Sequence, residues 1–122
     1  MGKTVLVIED EPNIIEAIGF LLSRDGWTVH THSNGVDALE AVLRRMPDLI
    51  ILDVMLPGRS GFDILGDIRN MLKLSDIPVL MLTARGQKKD REMAEKLGVS
   101  QFMTKPFSNK EVLENVRALA GS

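Results

Sequence analysis

The sequence predicts an α/β domain, a three-layer (βα)5 arrangement in which a doubly wound parallel sheet lies between two layers of helices. Three observations predict it. Short apolar runs alternate five times with stretches of helical periodicity. Three of those runs are almost wholly apolar, as parallel strands covered on both faces must be. The chain has 122 residues, 44% hydrophobic and 26% charged, which suits one core and leaves no room for a second. Residues 1–122 are therefore expected to form one domain.

The first strand is expected over Thr4 to Ile8, and the helix after it opens on Pro12, whose fixed φ suits a first turn. Ile14, Ile15, Ile18, Leu21 and Leu22 recur at helical spacing, and Gly26 is placed to end that helix. The second strand, Thr28 to Thr31, is more polar and is expected at a sheet edge. Val36, Leu39, Val42 and Leu43 mark a second helix. A third strand follows over Leu49 to Leu52, and a third helix from about Gly61 uses Ile64, Leu65 and Ile68. The fourth pair is Val79 to Leu82, then a helix with Met93, Ala94 and Leu97 that stops at Gly98. The fifth strand, Gln101 to Thr104, precedes a helix opened by a capping box, Ser108 with Glu111, and continued by Val112, Val116 and Leu119. Right-handed crossovers put these helices on both faces of the sheet.

Charge and composition narrow the function. A net charge of -2, with both signs spread along the chain, leaves no electrostatic footprint for direct nucleic-acid binding or for a membrane. The absence of cysteine excludes disulfides and thiolate chemistry and suits a cytoplasmic protein. No apolar run approaches a membrane span, and no secretory pattern opens the chain.

In open parallel sheets the working crevice lies beyond the carboxyl ends of the strands, so residues just after each apolar run carry the chemistry. The first strand runs into Glu9, Asp10 and Glu11, the third into Asp53, the fourth into Thr83 and the fifth into Lys105. Crowded carboxylates repel, by about 4 kcal/mol per pair at 4 Å and an effective dielectric near 20. A hard divalent cation such as Mg²⁺ would offset that, since it takes one or two carboxylates and keeps its waters. Asp53 stands alone on the central strand and is the best candidate for a carboxylate nucleophile toward phosphorus, with Glu9 and Asp10 holding the metal. Glu11 suits the start of the first helix, where the dipole favours an acid. His30 and His32 share one side of the second strand and fit a polar edge better than a metal site. Arg85 to Lys96 reads as a solvated helix face.

From TVLVIEDEP through LIILDVMLPGRSGFD and VLMLTA to FMTKPF, the order and spacing resemble the receiver domains of two-component response regulators. The resemblance implies a flavodoxin-like sheet of order 2-1-3-4-5. It implies that Asp53 accepts the phosphoryl group and that Glu9, Asp10, Asp53 and the backbone carbonyl of Met55 hold Mg²⁺. It implies that Lys105 pairs with the phosphoryl group, that Thr83 and Phe102 form the switch, and that the Lys105-Pro106 bond is cis. The implied partners are a sensor histidine kinase or a histidine phosphotransfer protein as donor, and an output domain or target protein on the face made by helix four, strand five and helix five. A phosphorylation-dependent homodimer is a further implied partner, although Asn115 stands where receivers of the winged-helix class carry an arginine for theirs. The chain would then be a switch that catalyses its own phosphorylation and dephosphorylation. Met55 and Arg85 fall at the two positions that tune the life of the acyl phosphate, and imply slow self-hydrolysis.

Two other chemistries fit less well. A phosphohydrolase with an aspartyl nucleophile places an acid two residues on, where this chain has Met55, which cannot donate a proton. An FMN carrier needs a hydroxyl-rich phosphate loop after the first strand, where this chain has carboxylates. A binding module independent of phosphorylation stays open as an alternative, though the full charged set argues against it.

Overall fold

The computed structural model describes residues 3–84 and 88–120. Five strands, β1 (Thr4–Ile8), β2 (Thr28–His32), β3 (Leu49–Asp53), β4 (Val79–Thr83) and β5 (Gln101–Thr104), form one sheet in the order β2-β1-β3-β4-β5. Every neighbouring pair is parallel. The crossovers are α1 (Pro12–Arg24), α2 (Ala38–Arg45), α3 (Gly61–Asn70) and α4 (Lys88–Lys96), and α5 (Asn109–Ala120) follows β5.

Alternation along each strand divides the core in two. Leu6, Ile8, Ile50, Leu52, Val79 and Met81 pack against α2, α3 and α4 through Val42, Ile64, Leu65, Ile68 and Ala94. Val5, Val7, Leu49, Ile51, Leu80 and Leu82 pack against α1 and α5 through Ile18, Leu22, Val112 and Val116. All of these are buried, and each large aliphatic side chain removed from water contributes about 1.5–3 kcal/mol. β2 lies at an edge and has no fully buried residue, as its polarity implies.

Three strands run one residue further than the apolar pattern suggests, taking in His32, Asp53 and Thr83. The reason is that the backbone ladder outlasts the apolar side chains. The N–H of Glu9 donates to the His32 carbonyl (3.0 Å), that of Val54 to Leu82 (2.9 Å) and that of Lys105 to Thr83 (2.7 Å). The second helix departs more. Val36 lies before α2 and is 70% exposed. The side-chain oxygen of Asn34 accepts the N–H of Val36 (3.0 Å) and of Asp37 (3.4 Å), while Gly35 N–H donates to the Pro57 carbonyl (2.8 Å). This turn competes with the helix for the same backbone groups and delays its start.

The helix ends are built as the sequence indicates. Gly26 and Gly98 have φ of 96° and 91°, the left-handed conformation that lets a chain leave a helix. Ser108 Oγ accepts the Glu111 N–H and the Glu111 carboxylate accepts the Ser108 N–H, both at 3.1 Å.

Arg69, near the end of α3, ties two loops together, the one between α3 and β4 and the one between α4 and β5. Its guanidinium donates to the carbonyls of Gly98 (2.7 Å), Ile77 (2.8 Å) and Ser75 (3.2 Å) and to Ser100 Oγ (3.2 Å). These bonds join the end of α4 to the start of β4. Arg69→Met should keep most of the stem packing but strand those carbonyls, and is expected to lower the unfolding free energy by about 2–3 kcal/mol. Urea denaturation checks this; a loss below about 0.5 kcal/mol, the range of an ordinary surface change, would mean that solvent replaces the guanidinium.

Candidate functional site

The ends of β1, β3, β4 and β5 bring the predicted residues to one edge of the sheet. Glu9 is fully buried, Asp53 and Thr83 are each 2% exposed, and Asp10 is exposed. Glu9, Asp10 and Asp53 each offer a carboxylate oxygen within 4.8 Å of the others, and no other group of three or more potential metal ligands occurs among the described residues. Lys105 reaches in from the end of β5, its Nζ 3.1 Å from Glu9 Oε1, 3.3 Å from Asp53 Oδ1 and 3.2 Å from Glu11 Oε1.

Local backbone geometry explains these placements. Glu9 Oε2 accepts the N–H groups of Asp10 and Glu11, both at 3.1 Å, which turns the chain from β1 into α1 and fixes the carboxylate. The other oxygen, Oε1, is ion-paired with Lys105 but not aligned for a hydrogen bond, so a buried acceptor faces the acidic cluster unsatisfied. After β3 the chain must pass close to its own backbone. Gly61 N–H donates to the Val54 carbonyl (2.8 Å), and a Cβ at Gly61 would collide with the Asp53 carbonyl oxygen. The Lys105-Pro106 bond is cis, as expected.

Burial dominates the electrostatics. Desolvation pushes the Glu9 pKa up to about 7, opposed by the Glu11 N–H and by Lys105 and reinforced by the charge of Asp53. Asp53 is also raised, again by burial, against Lys105 and the backbone N–H of Met55. Burial works to lower Lys105, but its contacts with Glu9, Asp53 and Glu11 outweigh that and its pKa is raised. The donor set fits a hard divalent cation: all oxygen, clustered, buried at Glu9 and Asp53 and open to water at Asp10, with one orphaned carboxylate oxygen.

The remaining expectations divide. Thr83 ends β4 one residue beyond Leu82, the partner of Asp53. Met55 is 72% exposed, on the loop leaving β3. With Val54, Ser60, Phe62, Thr83, Ala84 and Asp90 it lines a cleft beside Asp53. Phe102 is not at this edge; it is buried in the core on the α2–α4 side, its ring 5.0 Å from the guanidinium carbon of Arg91 on α4. Arg85 lies outside the described residues. Two contacts went unforeseen. Glu11 begins α1, as expected, but its carboxylate also reaches Lys105. His32, treated only as part of a polar edge, has Nε2 2.6 Å from Asp37 Oδ1, and the imidazole holds that carboxyl below its usual range. An acid five residues after a histidine was the available signal, and it required the intervening loop to fold back.

A raised carboxylate pKa has a definite sign. Between 4.5, the ordinary value, and about 7 the folded protein binds more protons at Glu9 than the unfolded chain does, so stability falls as pH rises through that window. Asp53 acts in the same direction. In chelator, the melting temperature should drop by several degrees from pH about 5 to about 7.5, and a divalent cation should reverse the drop. A midpoint that stays flat or rises in chelator would exclude this account of Glu9.

Residues 5–117 match the family model described as response regulator receiver domain. The fold superposes on a response regulator from Chloroflexus aurantiacus with a TM-score of 0.94 and 27% identity, covering 100% of both chains. It superposes on the BeF3-activated N-terminal receiver domain of Klebsiella pneumoniae RstA with a TM-score of 0.90 and 25% identity, over 98% of this chain and 99% of that one. The receiver domain of the sensor histidine kinase PA1611 of Pseudomonas aeruginosa, which carries a magnesium ion in its active-site cleft, matches with a TM-score of 0.90 and 28% identity over 100% of both. With five parallel strands in the order 2-1-3-4-5 and an acidic cluster at their carboxyl edge, the chain belongs to the response regulator receiver domain family of two-component signalling, whose members act as phosphorylation-dependent switches.

Proposed function

We propose that residues 1–122 form one receiver domain that takes a phosphoryl group from a phosphohistidine donor onto Asp53. The observation that carries this reading is the placement of Asp53: 2% exposed at the end of the central strand, 3.3 Å from the Lys105 ammonium and within 4.8 Å of Glu9 and Asp10. The family match and the magnesium-bearing cleft of the PA1611 receiver support it.

In the transfer, a carboxylate oxygen of Asp53 forms a bond to phosphorus as the P–N bond of the donor breaks, and the electron pair returns to the donor imidazole. Such a transition state asks for positioning and charge neutralisation more than for proton chemistry. Lys105 supplies a cation that can turn toward the phosphoryl oxygens, and Thr83 a hydroxyl at the neighbouring strand end. Glu9, Asp10, Asp53 and the Met55 carbonyl would hold Mg²⁺, which would supply charge neutralisation for the crowded carboxylates and the incoming phosphoryl group. Burial of Glu9 and Asp53 excludes water from the acceptor side. Met55 has no group that can orient a hydrolytic water, which supports a long-lived acyl phosphate.

The phosphoryl group adds about -1.5 to -2 charge beside the end of β4. Thr83 is drawn toward it, Phe102 changes position, and the face of α4, β5 and α5 alters its preference for an output domain or target. The donor is a sensor histidine kinase or a histidine phosphotransfer protein, and the domain acts in the cytoplasm. A phosphorylated homodimer of the winged-helix type is not favoured, because Asn115 is engaged within its own chain by Gln101 (2.9 Å) and the Glu111 carbonyl (3.0 Å).

Incubation with acetyl phosphate and Mg²⁺ should label the wild type and leave Asp53→Asn unlabelled; labelling of neither, or of both equally, overturns the reading. Millimolar Mg²⁺ should raise the melting temperature, and Asp10→Asn should remove most of that gain. An unchanged melting temperature would remove the metal from the proposal. Once formed, the acyl phosphate should outlast a minute, and a half-life of seconds would contradict the role given to Met55.

A further inference from the structure

Glu11 carries a charge that no capping hydrogen bond and no part of the proposed cation site engages. Its backbone carbonyl starts α1 by accepting the N–H groups of Ile14 and Ile15, both at 3.1 Å, while its side chain makes no capping bond. The carboxylate turns back toward the sheet, where Oε1 lies 3.2 Å from Lys105 Nζ. It is more than half exposed, unlike the other two partners of that ammonium, and it is not one of the three clustered carboxylates. Glu11 and Lys105 line a cleft open to solvent with Ile14, Ala84, Pro106 and Phe107, and the same ammonium lies 3.3 Å from Asp53.

Resting on the function proposed above, we infer that Glu11 is a positioning residue that competes with the phosphoryl group for Lys105. An ammonium has three protons to donate, and in this structure three carboxylates surround it. Once Glu9 and Asp53 are committed to a cation, Glu11 is the partner that still holds Lys105. To reach a phosphoryl oxygen, Lys105 gives up Glu11, so the contact weakens the affinity of the site for any tetrahedral anion bound at Asp53. The contact also keeps the ammonium at the mouth of the site before the anion arrives. Because the side chain takes no part in capping, neutralising it leaves α1 intact.

The test is the affinity for beryllofluoride at saturating Mg²⁺, measured by isothermal titration calorimetry. Glu11→Gln is expected to bind about two- to fivefold more tightly than wild type, the range for an ion pair with one exposed partner. Glu11→Ala should shift in the same direction. In a Lys105→Met background, where binding is weaker, Glu11→Gln should have no further effect, since the competitor then has nothing to hold. Unchanged or weaker binding by Glu11→Gln overturns the inference, as does an undiminished gain in the Lys105→Met background, which would indicate repulsion through space. A wild type that binds no beryllofluoride would overturn the receiver reading together with the inference; a wild type that binds and a variant that matches it would overturn the Glu11 role alone.

Discussion

The site is organised by one ammonium set among carboxylates it cannot neutralise. Lys105 Nζ lies within 3.3 Å of Glu9, Glu11 and Asp53, and Asp10 stands beside them. One positive charge faces four acids, so the cluster retains a large negative potential even with every ion pair formed. Burial makes this worse for Glu9, whose pKa rises to about 7. Left to itself, the chain would relieve the repulsion by moving the acids apart. The sheet prevents it, because Glu9 and Asp53 are fixed to a backbone ladder that buried aliphatic side chains hold in place, and the backbone N–H groups of Asp10 and Glu11 are bound to the Glu9 carboxylate. The fold thus maintains an electrostatic deficit that a cation can fill, which is why the acidic edge and the large parallel core belong to one explanation.

The ladder also sets the precision of the site. Glu9, Val54 and Lys105 each donate a backbone N–H to a carbonyl in the last two residues of the adjacent strand, at 3.0, 2.9 and 2.7 Å. These bonds run one residue past the apolar core, so Asp53 and Thr83 leave from regular strand geometry, and Glu9 and Lys105 from backbone still bonded to the neighbouring strand. Groups on rigid elements keep their spacing with little entropy left to lose when a ligand binds. Gly61 serves the same end from the other side. Its missing Cβ lets the chain after β3 return against the Asp53 carbonyl and start α3 close to the sheet.

What could be read from the sequence follows from this division between ladder and loop. Glu9, Asp10, Asp53, Thr83 and Lys105 were legible because strand ends in a parallel sheet project to one edge, so order along the chain predicts proximity in space. The capping box at Ser108 and the stops at Gly26 and Gly98 were legible because their chemistry is local. Val36 was misplaced in a helix because its apolar character fits the period, whereas the Asn34 turn that excludes it depends on a side chain accepting two backbone donors. Arg69, the Glu11 contact with Lys105 and the pairing of His32 with Asp37 were not legible. Each depends on a long or rotatable side chain choosing among several targets, and the choice is made by loops whose course no periodicity encodes.

Packing also bears on how a change at Asp53 could reach the surface. α3 buries Gly61, Ile64, Leu65 and Ile68, whereas α4 buries only Ala94 and is otherwise dominated by charged side chains. Few buried apolar contacts mean a low local free energy of displacement, so α4 is the helix a modest perturbation can reposition. It is also the one tied to both candidate switch positions. Asp90 shares a cleft with Thr83 and Met55, and Arg91 lies over the buried ring of Phe102. At its far end, the bond from Arg69 to the Gly98 carbonyl anchors the helix to α3. A helix fixed at its C-terminal end and lightly packed elsewhere pivots more easily than it translates. Added charge at Asp53 therefore has a physical route to the α4 surface, through the end of β4 and the ring beneath Arg91, that does not require the core to rearrange.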